Sequence, residues 1–241
     1  MASASAMSSA ICKGQWQYCL ELLKNDPTHA EAFAAKPGTL AVGPLTFKNI
    51  QGLPLHEAVA VGAPIQVVDA LARSFPAALG RKELVLKRFP LHVACARADQ
   101  VDEDAVLLLS KYYAKGLEHA DKSGKTPLHY VMEKKNTSEK LLACLLKLRP
   151  NIAKAQDKRG VIPLHLACAR GASTSLIKML LELHPDGVVI MNLAGKNALE
   201  LCHRTNAPNM EEVSRMLAAT KQQVDAKFRL ASQPSSRRLL V

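Results

Sequence analysis

The stretch that decides the fold is Asp157-Lys-Arg-Gly160-Val-Ile-Pro163-Leu-His165, which continues as Leu166-Ala-Cys-Ala-Arg-Gly171. Its Pro-Leu-His core occurs four times, and successive copies are separated by 36, 37 and 36 residues. The four copies begin at Pro54, Pro90, Pro127 and Pro163, and a degraded fifth copy begins near Ala198. A fixed period of this size predicts a stack of similar supersecondary units instead of one closed core.

Each unit has the sequence pattern of two helices. Proline is favoured at the first helical position, because it fixes φ and lacks only an N–H that would be unpaired there. The motif therefore opens a short helix, which in the fourth copy ends at Gly171. A second helix is predicted over 173–183, where Leu176, Leu180 and Leu183 share one face before Pro185.

Two of the turns carry a more specific signature. Asp121-Lys-Ser-Gly124-Lys-Thr-Pro-Leu-His129 and the stretch 157–165 both follow the order Asp-x-x-Gly-x-x-Pro-Leu-His. These residues resemble the opening of an ankyrin repeat, and the resemblance extends over roughly 15–222. It implies an all-α solenoid of stacked antiparallel helix pairs with short hairpin fingers. It also implies that the chain binds other proteins.

The position before the motif proline departs from the family pattern in three units. Only Thr126 keeps the threonine, whereas Leu53, Phe89 and Ile162 replace it elsewhere. A threonine there can cap the helix, so its loss is expected to cost about 1 kcal/mol. We expect apolar packing between neighbouring fingers to offset part of that cost.

The sequence predicts one domain between two flexible ends. The Ser/Ala-rich segment 1–14 is expected to be flexible, and 15–53 to be an N-terminal half-repeat with a single outer helix. Repeats begin near 54, 90, 127, 163 and 198. The basic tail 223–241 is expected to be disordered.

The finger ahead of the first full unit is unusually long. The excess, about 36–48, contains two Pro-Gly or Gly-Pro pairs and several apolar residues, among them Phe47. An enlarged finger of this kind can contact a partner, with Phe47 as an apolar anchor. It can equally cover the exposed end of the stack, and the sequence leaves both alternatives open.

The composition is that of a cytoplasmic or nuclear protein. No apolar run reaches the ~18 residues that a membrane helix needs. The first ten residues lack the basic start and apolar core of a secretory signal. The six cysteines show no Cys-x-x-Cys spacing, so we expect reduced cysteines in the helix packing.

The net charge of +11 is concentrated in the predicted fingers and the tail. The fingers hold ten Lys and Arg residues against three acidic ones. A second basic pattern falls seven residues after the motif proline, at Arg97, Lys134 and Arg170. In the ankyrin fold this slot faces the concave side, where the three would form a ladder that attracts an acidic partner. The alternative is that exposed positions simply collect Lys and Arg for solubility.

The sequence contains no recognisable catalytic or metal-binding motif. The motif histidines His56, His92, His129 and His165 recur in every full unit, which indicates a structural role, because a catalytic residue would occur once. The other histidines have no ligand partners at zinc spacing. No nucleophile elbow, phosphate-binding loop or dinucleotide fingerprint is present. We expect no enzyme activity, no cofactor and no small-molecule substrate.

These patterns predict a monomeric, non-catalytic scaffold that binds an acidic protein through its finger tips and concave face. Nucleic acid is disfavoured because aromatic residues make up only 4% of the chain. The alternatives are nonspecific binding of phosphates, on nucleic acid or an acidic membrane surface, and a targeting or regulatory subunit of an enzyme. The predicted contact residues are Arg88, Arg97, Lys122, Lys125, Tyr130, Lys134, Lys158, Arg159 and Arg170. Reversing Arg97, Lys134 and Arg170 to Glu is expected to abolish binding with little effect on stability.

Overall fold

The computed structural model describes residues 2–31, 52–97, 101–134, 137–205 and 207–231, and within them the chain is helical without any strand. The α-helices are α1 (Ala2–Cys12), α2 (Trp16–Asn25), α3 (Pro54–Val61), α4 (Ile65–Ser74), α5 (Pro90–Ala96), α6 (Glu103–Tyr112), α7 (Pro127–Met132), α8 (Glu139–Leu148), α9 (Pro163–Arg170), α10 (Thr174–Leu183), α11 (Ala198–Cys202) and α12 (Met210–Ala231). Short 3-10 turns follow the outer helices at Pro27–Ala30, Pro76–Gly80, Ala114–Glu118, Pro150–Lys154 and Pro185–Val188.

The helices form two stacked rows. The inner row runs through α1, α3, α5, α7, α9 and α11, and each of these helices contacts the next. The outer row runs in the same way through α2, α4, α6, α8, α10 and α12. The fixed repeat of the sequence therefore becomes a regular stack whose units contact mainly their neighbours.

Many of the helices begin in one of two ways, at a proline or at a side-chain cap. The prolines Pro54, Pro90, Pro127 and Pro163 begin inner helices, as the motif predicts. Outer helices α6, α8 and α10 are capped by side-chain oxygens of Asp102, Ser138 and Ser173, which accept backbone N–H bonds from the first turn. Gly171 ends α9 in the left-handed conformation, with φ of 66°.

The core lies between the two rows. In α8, Leu141, Leu142, Leu145 and Leu146 are all buried, and this i, i+1, i+4, i+5 spacing gives the helix one apolar side. The corresponding side of α10 carries Leu176, Ile177, Leu180 and Leu181. Neighbouring units therefore share one continuous apolar layer.

The N-terminal segment differs from the prediction. Residues 1–14 are predicted to be flexible, but α1 occupies most of them and packs against α2 and α3. Met7 and Ile11 are 0% and 1% exposed, so tertiary burial stabilises a helix that the Ser/Ala-rich sequence does not predict. The first unit is consequently a complete helix pair and not a half-repeat with one outer helix.

The C-terminal segment also differs. The predicted disorder over 223–241 is wrong for its first part, because α12 continues to Ala231. Val213, Leu217 and Val224 are buried along one side of this 22-residue helix, so packing holds it beyond the length of the other outer helices. Residues 232–241, and the long first finger 36–48 with Phe47, lie outside the described residues.

Candidate functional site

In each described finger, one acidic or amide side chain closes the turn on its own backbone. Asp121 shows the arrangement: its N–H donates to Lys125 O at 2.9 Å, and its Oδ1 accepts from the N–H groups of Ser123 and Lys125 at 2.7 and 3.0 Å. The second (81–89), fourth (155–162) and fifth (190–197) fingers repeat it with Glu83, Asp157 and Asn192. The turn of each described finger is thus fixed by three or more local hydrogen bonds.

The second finger is one residue longer and uses the longer side chain of Glu83. Its carboxylate accepts backbone N–H bonds from Val85 (2.7 Å), Leu86 (2.6 Å) and Arg88 (3.2 Å). Glu83 is 0% exposed and lies 3.5 Å from the Arg88 guanidinium. Lys87 stands at the position that glycine holds in the other described fingers and adopts a φ of 57°.

The four motif histidines join the inner helices α3, α5, α7 and α9 to the fingers that follow them. His129 accepts the Thr126 N–H at Nδ1 (3.2 Å) and donates from Nε2 to Val161 O (3.0 Å). This assigns the neutral ring with its proton on Nε2. His56, His92 and His165 repeat the bridge to Arg81 O, Lys125 O and Ile190 O at 3.1, 3.2 and 3.0 Å.

Burial lowers the pKa of His56 and His92 to about 4 and also lowers those of His129 and His165. The charged imidazolium is therefore disfavoured in all four units. The part of the chain that the structure describes contains no cluster of His, Cys, Asp or Glu suited to a metal ion.

Thr126 acts through its histidine and not through the helix backbone. Its hydroxyl lies 2.9 Å from His129 Nδ1 and makes no side-chain hydrogen bond that caps the helix, so the predicted threonine cap is wrong. The replacements Leu53, Phe89 and Ile162 are buried, in line with the expected apolar packing. Phe89 stacks on His119 of the third finger with ring centroids 4.7 Å apart.

The finger tips are bonded to one another in a row. A backbone N–H at the tips of the third, fourth and fifth fingers donates to a backbone carbonyl of the preceding tip, which fixes the spacing of the described fingers. The three bonds are Lys122 N–H to Leu86 O (2.8 Å), Lys158 N–H to Ser123 O (3.1 Å) and Leu193 N–H to Arg159 O (2.8 Å).

Several predicted contact residues lie exposed on these tips. The side chains of Lys122 and Lys158 are exposed, as is that of Arg159, which keeps a long contact of 3.4 Å with Asp157. An open depression of about 660 Å³ lies among the second, third and fourth fingers. Its lining includes Leu86 and the cations Lys122, Lys125, Lys158 and Arg159.

Three other predicted contact residues serve the fold itself. Arg88 is only 6% exposed beside Glu83, so its prediction as a surface contact is wrong in placement. Lys125 is half-buried and pairs with Glu133 at 2.5 Å. Tyr130 donates its hydroxyl proton to Asp121 at 2.6 Å, and burial, with that hydrogen bond, raises the pKa of the phenol.

The predicted concave ladder is only partly a free cationic surface. Arg97 is half-buried and pairs with Asp102 at 3.3 Å. The Lys134 ammonium donates to Arg97 O at 2.5 Å and to Ala96 O at 3.4 Å, at the C-terminal end of α5. Arg170 is exposed. The expectation that reversing all three charges leaves stability unchanged therefore conflicts with the bonds made by Lys134.

The finger tips also have an apolar component that the sequence-based prediction does not include. Leu84, Val85 and Leu86 are 52%, 38% and 37% exposed in the second finger. Met191 and Leu193 are 60% and 80% exposed in the fifth. In the second finger the sequence signal for it is three consecutive apolar residues, Leu84 to Leu86, inside an otherwise charged loop.

The fold matches that of a solved ankyrin-repeat protein. The structure titled crystal structure of EF0377, an ankyrin repeat protein, superposes with a TM-score of 0.68 at 19% sequence identity. The match covers 89% of this chain and 97% of that chain. The chain thus has the ankyrin-repeat fold, as the repeat motif predicts. No protein-family profile and no curated protein sequence matches it.

Ankyrin-repeat proteins are in general scaffolds for protein–protein interaction. None of the helices in the described ranges is both long and apolar enough to cross a membrane.

Proposed function

We propose that this chain is a non-catalytic recognition scaffold that binds an acidic protein partner through its finger tips. The proposal rests on one observation: the tips expose cationic side chains on a backbone that hydrogen bonds hold in place. Lys122 and Lys158 occupy equivalent positions on adjacent fingers, and their backbone N–H groups are held by the preceding tips.

The fixed tips favour binding for an entropic reason. Association loses affinity when loops must be ordered at the interface, and a preorganised surface avoids part of that cost. The closing side chains Asp121 and Asp157 and the cross-finger bonds order these turns before any partner arrives. Exposed charges at such positions raise the rate of encounter with an oppositely charged protein.

The concave face contributes less than the sequence suggests. Arg170 remains as an exposed contact, whereas Arg97 and Lys134 hold helix ends through Asp102 and backbone carbonyls. We therefore assign the primary electrostatic contacts to Lys122, Lys158 and Arg159, with Arg170 in support.

We place this scaffold, acting as a monomer, in the cytoplasm or nucleus. The described structure has six free cysteines, of which Cys95 and Cys168 are buried with their pKa values raised by that burial. Buried thiols of this kind are inert and suit a reducing compartment.

The test is capture of protein partners on immobilised chain, with nuclease-treated lysate at physiological salt. The variant Lys122→Glu/Lys158→Glu is compared with Lys140→Glu/Lys178→Glu, which makes the same charge change on exposed positions of the outer helices α8 and α10. A partner retained by the wild type and by the outer-helix variant, but lost from the finger variant, supports the proposal. Equal loss in both variants, or recovery of nucleic acid alone, would overturn it.

A further inference from the structure

The finger tips carry an ordered pattern of apolar and basic side chains. In each described finger, the residue directly after the turn-closing side chain stands at the tip. These four residues, here named the fingertip row, are Leu84, Lys122, Lys158 and Leu193. All four are exposed, so the order along the stack is apolar, basic, basic, apolar.

Each end of the row is a small apolar patch and not an isolated side chain. Leu84 is accompanied by Val85 and Leu86, and Leu193 by Met191. Single exposed leucines are ordinary on protein surfaces. Two patches at equivalent ends of a rigid row, with Leu193 at 80% exposure, are better explained by a ligand that covers them.

The centre of the row is suited to carboxylates. Lys122 and Lys158 flank the depression of about 660 Å³, and Arg159 contributes a further exposed cation. The carboxylate of Asp157 in the same depression is occupied by the N–H groups of Arg159 and Val161, at 2.8 and 2.9 Å. The exposed charge offered to a ligand there is consequently positive.

The length of the described fingertip row sets the shortest extended ligand that can contact all four of its residues. Three steps between packed units of ~8–10 Å give a row of about 25–30 Å. An extended polypeptide rises ~3.3 Å per residue, so about eight or nine residues cover this distance. The cross-finger bonds keep the spacing constant.

We propose that the fingertip row binds an extended protein segment of about nine residues that has acidic residues at its centre and apolar residues at both ends. This inference rests on the proposed function and adds the chemistry and order of the partner segment. A nucleic acid strand would match the central cations but has no aliphatic groups for Leu84 and Leu193. An anionic membrane is flat, whereas the central cations surround a depression.

The test uses labelled synthetic peptides of about nine residues and fluorescence anisotropy at physiological salt. The first peptide has Glu at its centre and Leu near both ends, the second replaces Leu by Ser, and the third has the same composition with Glu at the ends and Leu at the centre. We expect the first to bind at least about tenfold more tightly than the other two, a difference of ~1.4 kcal/mol.

The matching protein variant is Leu84→Ser/Leu193→Ser, both at exposed positions where folding should not suffer. It should reduce the affinity for the first peptide to that for the second and leave the affinity for the second unchanged. Equal affinity for the first and third peptides, or an unchanged affinity in this variant, would overturn the inference. Tighter binding to oligonucleotides or to anionic phosphatidylserine vesicles, lost in the same variant, would also overturn it.

The same variant separates this inference from the proposed function. If a lysate partner depends on Lys122 and Lys158 but survives Leu84→Ser/Leu193→Ser, the scaffold function stands and the patterned segment is wrong. If the partner also survives Lys122→Glu/Lys158→Glu, the proposed function itself is wrong.

Discussion

At the residue scale, the four motif histidines are the clearest link between sequence and structure. Each accepts a backbone N–H at Nδ1 and donates from Nε2 to the next finger. Protonation would place a second N–H against the donor at Nδ1 and remove this acceptor. The repeated histidine is therefore a structural bridge that requires the neutral ring.

This bridge predicts a loss of stability in mild acid. A histidine whose pKa is lowered from about 6.5 when unfolded to about 4 when folded binds fewer protons in the folded state. The contribution of such a histidine to the free energy of unfolding is thus complete above pH ~6.5 and is lost as the pH falls toward 4. This loss is on the order of 2–3 kcal/mol each for His56 and His92.

Chemical denaturation at a series of pH values measures this slope. His92→Gln should flatten it, whereas the exposed His203→Gln should not. Glu57 acts in the opposite direction, because burial raises the pKa of its carboxyl group and its contribution declines as the pH rises through that raised value. A stability that stays constant between pH 6.5 and 4 would contradict the histidine account.

Lys87 gives a second prediction at this scale. Its φ of 57° is unfavourable for a residue with a Cβ, by ~1–2 kcal/mol. Replacing it by glycine, which costs ~0.5–1 kcal/mol through the unfolded chain, should stabilise the protein by about 0.5–1 kcal/mol.

Urea denaturation of Lys87→Gly measures this gain. The reciprocal control is Gly195→Ala, which has a φ of 68° and no atom within 4 Å of the added Cβ, and should lose a similar amount. If Lys87→Gly destabilises the protein and Gly195→Ala has no effect, the left-handed backbone does not strain Lys87.

At the element scale, α1 is the main departure from the sequence prediction. Its burial predicts that Ile11→Ala lowers the free energy of unfolding by ~2–4 kcal/mol, because Ile11 is 1% exposed. A flexible segment would show no loss. The exposed Cys12→Ala is the matched control on the same helix and should change stability by less than about 0.5 kcal/mol.

The link between α5 and α7 carries another prediction. Lys134→Met removes the ammonium that bonds to the carbonyls of Ala96 and Arg97, and should cost ~1–3 kcal/mol in thermal or urea unfolding. Arg170→Met, at the equivalent but exposed position of α9, should change stability by less than ~0.5 kcal/mol. Equal effects of the two variants would show that Lys134 is a surface cation like Arg170.

At the scale of the whole molecule, the repeated features are those that could be predicted from sequence. The helix pairs and the four motif histidines follow from local chemistry that recurs from unit to unit. Features that occur once depend on tertiary contacts. Helix α1 forms because Met7 and Ile11 are buried, and no periodicity within the Ser/Ala-rich segment predicts that burial.

In the candidate site, too, some features can be predicted from sequence and others depend on tertiary contacts. The exposure of Lys122 and Lys158 follows from their place in the turn motif. The burial of Arg88 follows from Glu83, which substitutes for the usual Asp in a longer turn and places a carboxylate inside the finger. A count of charges cannot distinguish these cases, because a basic residue of a finger is either exposed at the tip or buried as part of the turn.

We propose above that the finger tips recognise an acidic protein. The most direct measurement is the affinity of a captured partner for Lys122→Glu/Lys158→Glu and for the outer-helix control Lys140→Glu/Lys178→Glu, both verified as folded by circular dichroism. We expect at least about a hundredfold weaker binding for the finger variant, ~2.7 kcal/mol, and near-wild-type binding for the control. Near-wild-type binding by the finger variant would contradict it.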